Sequence, residues 1–267
     1  MAIISIARQL GSNGMDIAHL LEEELEYSLV NKEEIKKISS EYGIDEKHFN
    51  KIYDEKRFNV FDFFSTNKEK YREVIKLLLY QIVKKNNVII IGLGSQLHLS
   101  ELPNTIRLRF IAPWNERVDR IMKMYSTSME NAEKLLNESD NARINFNSTM
   151  FEFNWNAEGF YDLILNTQRI NINSIIELVK TRLNQIQPAE EEKGLSLLDD
   201  YIMCQKVMIN IIHKHNIEIK HYLINFRNGV VCLKGALNTE TDKKNCINAV
   251  MEIKGVNDIK PELYLMR

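Results

Sequence analysis

Apolar residues recur at two spacings over roughly the first 185 residues, and the two spacings alternate along the chain. The apolar run at about residues 2–7 predicts a strand, and Ile17, Leu20, Leu21 and Leu25, which follow a glycine turn, have the spacing of a helix. The same patterns predict further strands at about 88–92, 106–112 and 163–166, and helices at about 14–26, 31–55, 67–86, 114–125, 128–150 and 172–187. This alternation predicts an α/β fold, a three-layer arrangement in which helices cover both faces of a parallel sheet.

Beyond about residue 190 the pattern changes and predicts a smaller α+β unit of order αββαβ. Its two central strands are joined by Arg227-Asn228-Gly229, in which Asn-Gly is a hairpin signal. The elements expected, in order, are a helix at about 197–214, strands at about 217–226 and 230–235, a helix at about 239–253 and a strand at about 256–265.

The stretch 185–194 separates these two patterns, since it combines a proline, an acidic run and a glycine with few apolar residues. Such a composition is typical of a linker. We therefore predict a domain over 1–187, a linker over 188–196 and a second domain over 197–267.

Composition and charge narrow the classes of protein. The net charge of −2 over 267 residues gives no electrostatic reason to expect nucleic acid as a partner. No apolar run approaches the roughly 20 residues of a transmembrane helix, and the first residues have the pattern of a strand rather than a signal peptide. The three cysteines form no CxxC pair and the histidines lack metal-ligand spacing, so we expect a cytoplasmic protein without a protein-held metal.

The turn after the first strand carries the main candidate chemistry. A strand, a glycine turn and a helix N-terminus direct several backbone N–H groups at one point, which is an arrangement that binds phosphate. Met15 stands where a P-loop would have its lysine, and the alternative is a tight turn with no ligand. The candidate phosphate-binding residues are Arg8, Gly11, Ser12, Asn13, Gly14, Met15 and Asp16.

Two further groups could face the same crevice. Gly92 and Gly94 follow a buried strand, at the edge where open α/β sheets bind ligands, although both glycines could simply permit a sharp turn. Arginines suit phosphate because they offer a forked set of donors, and the alternative is an exposed helix face with charge pairs such as that of Glu116 with Arg120. The candidates of this second kind are Arg117, Arg120 and Lys123, followed by the pair Asp140 and Arg143.

These segments, taken in order, resemble the cytidylate kinase-like branch of the P-loop nucleoside monophosphate kinases over about residues 2–184. The segments that carry the resemblance are 4–14, 88–94, 102–108, Ile111-Ala112-Pro113, 116–120, the Asp140/Arg143 pair and 162–167.

The resemblance implies a P-loop kinase-like core and transfer of the γ-phosphoryl of ATP, with Mg²⁺, to a nucleoside monophosphate such as CMP. It assigns the donor phosphates to residues 11–16 and the acceptor to the Gly92 turn. It also gives Arg117, Arg120 and Arg143 the role of lid-side arginines that offset developing charge.

The sequence departs from the family pattern at three positions: Met15, Leu93 and Asn31 stand where the relatives often have Arg, Arg and Asp. A catalytically degenerate nucleotide sensor is therefore a second hypothesis.

Residues at about 199–265 resemble a BON domain through the segments 228–235 and 254–259. This resemblance implies an accessory module, through which the chain could form a homo-oligomer. A self-associating interaction protein is the third hypothesis.

Overall fold

A computed structural model describes residues 2–30, 35–37, 40, 68–85 and 87–266. The chain divides into two compact units. The first comprises residues 1–66 and 82–194, and the second comprises residues 67–81 and 195–267. The boundary at residue 194 falls inside the predicted linker, but the assignment of residues 67–81 to the second unit has no counterpart in the sequence analysis.

The first unit follows the predicted alternation of strands and helices. Its five strands are β1 (Ile3–Arg8), β2 (Ser28–Leu29), β3 (Val88–Ile91), β4 (Thr105–Ile111) and β5 (Leu163–Asn166). Its described helices are α1 (Gly14–Leu25), the end of α2 (Lys68–Val83), α3 (Ser95–His98), α4 (Trp114–Tyr125), α5 (Met129–Phe151), a 3₁₀ turn (Glu158–Phe160), α6 (Ile172–Leu183) and the start of α7 (Pro188–Ile209).

The strands form one parallel sheet in the order β2-β3-β1-β4-β5. β1 is central, with Ile3 opposite Val88 on one side and opposite Thr105 on the other. Central parallel strands are covered on both faces, which explains the nearly continuous apolar sequences of β1 and β3.

One face of the sheet packs against α1 and α6. Ile4 and Ile6 of β1 and Leu108 and Phe110 of β4 are buried there, in a cluster with Ile17 of α1 and with residues of α6. Alternation along a strand directs the neighbouring side chains, Ser5 and Arg109 among them, to the opposite face.

Several short elements and one boundary differ from the sequence expectations. β2 and α3 are two and four residues long, too short for a periodic pattern to indicate. Residues 188–196, predicted as a linker, lie in α7, because proline is well accommodated in the first turn of a helix and the acidic run favours its N-terminus. The helix predicted at about 31–55 lies almost wholly outside the described residues.

The second unit contains the αββαβ order expected from the sequence. The rest of α7 continues as a π-helical turn (Asn210–Lys214), followed by β6 (Lys220–Arg227), β7 (Val230–Leu237), α8 (Glu240–Met251) and β8 (Asp258–Leu265). β7 is central, antiparallel to β6 and parallel to β8. Asn228 and Gly229 form the predicted hairpin turn, both with positive φ. In the described part of the chain, no helix is both long and apolar enough to span a bilayer.

Candidate functional site

The loop between β1 and α1 turns tightly through two residues with left-handed backbone. Gly11 and Asn13 both have left-handed backbone conformations, with φ of 75° and 57°. A side chain at Gly11 would be strained at this φ, and its Cβ would lie 3.1 Å from the Cβ of Arg117. The loop therefore needs glycine here in order to turn tightly against α4.

The N-terminus of α1 has donors without acceptors. Asn13 occupies the cap position but its side chain makes no capping hydrogen bond. Among the described residues, none accepts a hydrogen bond from the backbone N–H of Asn13, Gly14, Met15 or Asp16. Unpaired donors at the positive end of a helix dipole form a site for phosphate or another anion.

Ser12 and Arg8 occupy different places in this loop. Ser12 is fully buried, and its hydroxyl donates to the carbonyl of Gln9 at 2.8 Å, so it closes the turn. The side chain of Arg8 lies beside Gly14, where an added Cβ would be 2.7 Å from the Cβ of Arg8. Because Gly14 has no side chain, the aliphatic part of the Arg8 side chain can pack against the first turn of α1.

Arg117 of α4 contacts the backbone of the loop. Its buried guanidinium makes two hydrogen bonds with Asp140 of α5, at 3.1 and 2.9 Å, and donates to the carbonyl of Leu10 at 3.4 Å. Because C=O and N–H point in opposite directions across a trans peptide, this contact turns the N–H of Gly11 away from α4. Arg117 and Asp140 are therefore brought together with the loop, through its backbone.

Arg120 makes a similar contact one turn later on α4. It donates to the carbonyl of Gly11 at 3.1 Å and to the hydroxyl of Thr167 at 3.0 Å, and it forms an ion pair with Glu116 at 2.9 Å. The predicted Glu116–Arg120 pair thus exists, and the same arginine also ties the loop to the end of β5. Arg143 is buried on α5 and donates to the carbonyl and hydroxyl of Ser139 on its own helix.

The second glycine turn is packed by an aromatic ring. Gly92, Leu93 and Gly94 all have positive φ, at 75°, 58° and 67°. A Cβ at Gly94 would lie 2.5 Å from the ring of Phe151. Both glycines therefore have a conformational reason to be glycine, and contact with an acceptor at this turn remains a prediction.

Asp16 places one carboxylate beside the loop. Asp16 is exposed in the first turn of α1, one residue after Met15, whose side chain is 41% exposed. In the part of the chain that the structure describes, no three His, Cys, Asp or Glu side chains cluster as metal ligands. Mg²⁺ commonly uses one or two carboxylates together with phosphate oxygens and water, and Asp16 fits that limited role. Asn31 lies outside the described residues.

Sequence reasoning missed Arg109, which the pattern of β4 indicates only as a strand residue. It is 6% exposed, and its guanidinium carbon lies over the rings of Trp155 and Tyr161, 4.7 and 5.4 Å from their centroids. The sequence signal is the alternation of Arg107 and Arg109 with apolar residues along β4, but such arginines can equally face solvent.

The five-strand order, with a glycine loop leading from the central strand into a helix, defines an α/β fold like that of the P-loop kinases. The model of the cytidylate kinase-like family matches residues 3–169, more than half of the chain. The chain belongs to this cytidylate kinase-like family.

Individual relatives are distant. An uncharacterized protein of solved structure from Eubacterium ventriosum is 16% identical over 69% of this chain and 99% of its own, with a TM-score of 0.52, and at that identity the likeness concerns the fold alone. Shikimate kinase from Acinetobacter baumannii is 11% identical over 70% of this chain and 96% of its own, with a TM-score of 0.39. A uronate isomerase from Corynebacterium glutamicum is 29% identical over 34% of this chain, a match that spans only 18% of that enzyme.

Proposed function

We propose that the chain is a nucleotide-binding phosphotransferase that transfers the γ-phosphoryl of ATP to a nucleoside monophosphate such as CMP. The observation that carries the proposal is the set of acceptor-free N–H groups at Asn13–Asp16. They lie at the carboxyl edge of a parallel sheet, where α/β proteins bind ligands. Family membership supports nucleotide binding in general terms.

The residues around the loop would act mainly by positioning. The N–H groups of Asn13 to Asp16 would hold donor phosphate oxygens, and the aligned dipoles of α1 favour their charge. Arg117 and Arg120 hold the carbonyls of Leu10 and Gly11, so the segment that leads into α1 needs little reorganisation on binding. Bound Mg²⁺ would neutralise phosphate charge, with the carboxylate of Asp16 available as one oxygen ligand.

The two arginines of α4 that reach the loop are each paired with a carboxylate. Arg117 shares its charge with Asp140, and Arg120 shares its charge with Glu116. Phosphoryl transfer depends on cations that stabilise the transition state, and a missing one can cost about 10³-fold or more in rate. The absence of a cation at Met15 therefore favours a second candidate, a nucleotide sensor with little or no turnover.

One experiment separates these two functions. The full chain is incubated with labelled ATP, Mg²⁺ and a panel of nucleoside monophosphates, and both binding and transfer are measured. Transfer to one monophosphate supports the enzyme, and nucleotide binding without transfer across the panel supports the sensor. If neither ATP nor any monophosphate binds, both proposals are wrong.

For the C-terminal unit we propose a BON-like accessory role, including self-association. Its β6 and β8 are the edges of a three-stranded sheet, and Leu223 of β6 is 67% exposed. Exposed apolar residues on an edge strand can pair with a second copy. Light scattering of the full chain tests this role: a dimer that Leu223→Lys converts to monomer supports it, and a monomeric wild type contradicts it. An isolated fragment 195–267 is unsuitable because residues 67–81 belong to the same unit.

A further inference from the structure

A cleft of about 350 Å³ opens beside the phosphate loop, on the sheet face opposite α1 and α6. Its polar lining comes from Arg109 of β4, Asn166 at the end of β5, Asn156 and Glu158 in the segment before β5, and Gln9 of the loop. Ile111 and Ile164 supply apolar walls. The volume lies at the lower end of the range for small-molecule sites, which is about 300–1,000 Å³.

Arg109 is a buried cation without an ion-pair partner among the described residues. One terminal nitrogen donates to Asn156 at 2.6 Å, and the N–H at Nε is buried and has no acceptor. Buried charges are ordinarily paired, because removing an ion from water costs several kcal/mol. The rings of Trp155 and Tyr161 offset part of this cost but supply no counter-charge.

The charged groups near Arg109 do not supply the counter-charge that its burial calls for. Burial lowers the pKa of Arg109, while Tyr161, Asp140 and Glu158 act in the opposite direction from a distance. Asp140 is engaged by Arg117 through both carboxylate oxygens. Glu158 is exposed at the cleft, and no described side chain donates to its carboxylate.

We propose that this cleft is a second ligand site, separate from the N–H groups of residues 13–16, for a small anion that also carries hydroxyl groups. The anionic end, a carboxylate or a phosphate monoester, would accept from the part of the Arg109 guanidinium that lines the cleft. The hydroxyl groups would donate to Glu158 and exchange hydrogen bonds with the amides of Asn156, Asn166 and Gln9. The proposal does not depend on ATP binding or transfer at the loop.

The test uses the full chain with Trp114→Phe, so that Trp155 is the sole tryptophan and reports on the cleft. The probes are D-ribose 5-phosphate and D-gluconate, with neutral D-ribose as the control. A saturable change in Trp155 emission with either anion, and none with ribose, is the expected result. The response to each anion assigns the preferred acid group, and no response to either overturns the proposal.

Substitution then locates the site. Arg109→Gln is expected to weaken anion binding at least about tenfold, since it removes a charged hydrogen bond. The matched control is Arg107→Gln, on the same strand and the same face. Arg107 pairs with Asp162, which lies outside the cleft lining, so the anion affinity of this variant should stay within about twofold of that of the wild type. Unchanged affinity in Arg109→Gln overturns the assignment.

A measurement on unsubstituted protein covers the case in which Arg109→Gln does not fold. The Nε–H resonance of Arg109 should shift on addition of the binding anion, because the guanidinium that carries it gains an anionic partner. A resonance that stays fixed at saturation contradicts the site. ATP titrations of the same wild-type sample report on the phosphate loop, so the failure of one proposal is distinguishable from the failure of the other.

Discussion

Arg117 of α4 and Asp140 of α5 join two long helices, next to the loop between β1 and α1, through a pair of hydrogen bonds 3.1 and 2.9 Å long. The arginine side chain is only 5% exposed, and it also reaches the carbonyl of Leu10. The ion pair thus links the packing of the helices to the shape of the loop.

Asp140→Asn should destabilise the protein by about 1–3 kcal/mol, because it leaves the buried charge of Arg117 without its counter-ion. The free energy of unfolding is measured by urea titration with tryptophan fluorescence, since Trp114 and Trp155 both lie in the first unit. Glu138→Gln, at an exposed position of the same helix, is the control and should change little. Equal stabilities of the two variants would contradict the importance of the pair.

Gly14→Val should weaken ATP binding at least about tenfold, because the added bulk meets Arg8 and obstructs the N–H groups of the first turn. Gly159→Val is the matched control, since a Cβ there has nothing within 4 Å. Calorimetry of both variants with ATP and Mg²⁺ gives the two affinities. An unaltered affinity in a folded Gly14→Val protein would mean that the loop does not hold phosphate.

Met15→Lys should raise ATP affinity or turnover by about tenfold, since it returns a cation to the position where a P-loop carries its lysine. Met129→Lys adds the same charge at a similarly exposed methionine at the start of α5, and controls for a general electrostatic effect. Binding and transfer assays on the two variants show whether the gain is specific to position 15. Equal gains in ATP affinity or turnover in the two variants would show that residue 15 has no special role.

Asp162 should stabilise the first unit at neutral pH and lose that effect in acid. Burial raises the pKa of Asp162, but hydrogen bonds from the side chain and backbone of Arg107, at 2.7–3.2 Å, outweigh it, and the net pKa is lowered. A carboxyl whose pKa is lower in the folded state contributes fully above its unfolded value of about 3.8, and the contribution is lost as the pH falls through the folded pKa.

Urea titrations from pH 7 to pH 2 compare the wild type with Asp162→Asn, again by tryptophan fluorescence. The wild type should be the more stable at neutral pH, and the difference should shrink below about pH 4. A difference that is constant over the whole range would show that ionisation of Asp162 is not its source.

Much of the fold could be predicted from the sequence because its elements have strong local signals. Local sequence alone predicts the apolar strands β1 and β3 and the Asn228-Gly229 turn. The sequence pattern predicts the start of α7 too late, because the proline and the acidic run of residues 188–196 occur both in linkers and at helix N-termini. Nothing in residues 67–81 indicates membership of the second unit, because that membership depends on tertiary contacts.

The candidate site was less predictable, because its contacts join distant parts of the chain. The glycine loop could be located by its pattern, but the attachment of Arg117 and Arg120 to the loop carbonyls depends on the path of α4. The ring of Phe151 against Gly94 and the rings around Arg109 likewise follow from tertiary packing.

The central claim, that the N-terminus of α1 binds the phosphates of a nucleotide, is tested most directly by amide NMR during titration with ATP and Mg²⁺. The backbone N–H resonances of Asn13, Gly14, Met15 and Asp16 should shift more than those elsewhere in the first unit and saturate together. If ATP binds to saturation while these four resonances stay in place, or if no binding occurs, the claim is contradicted.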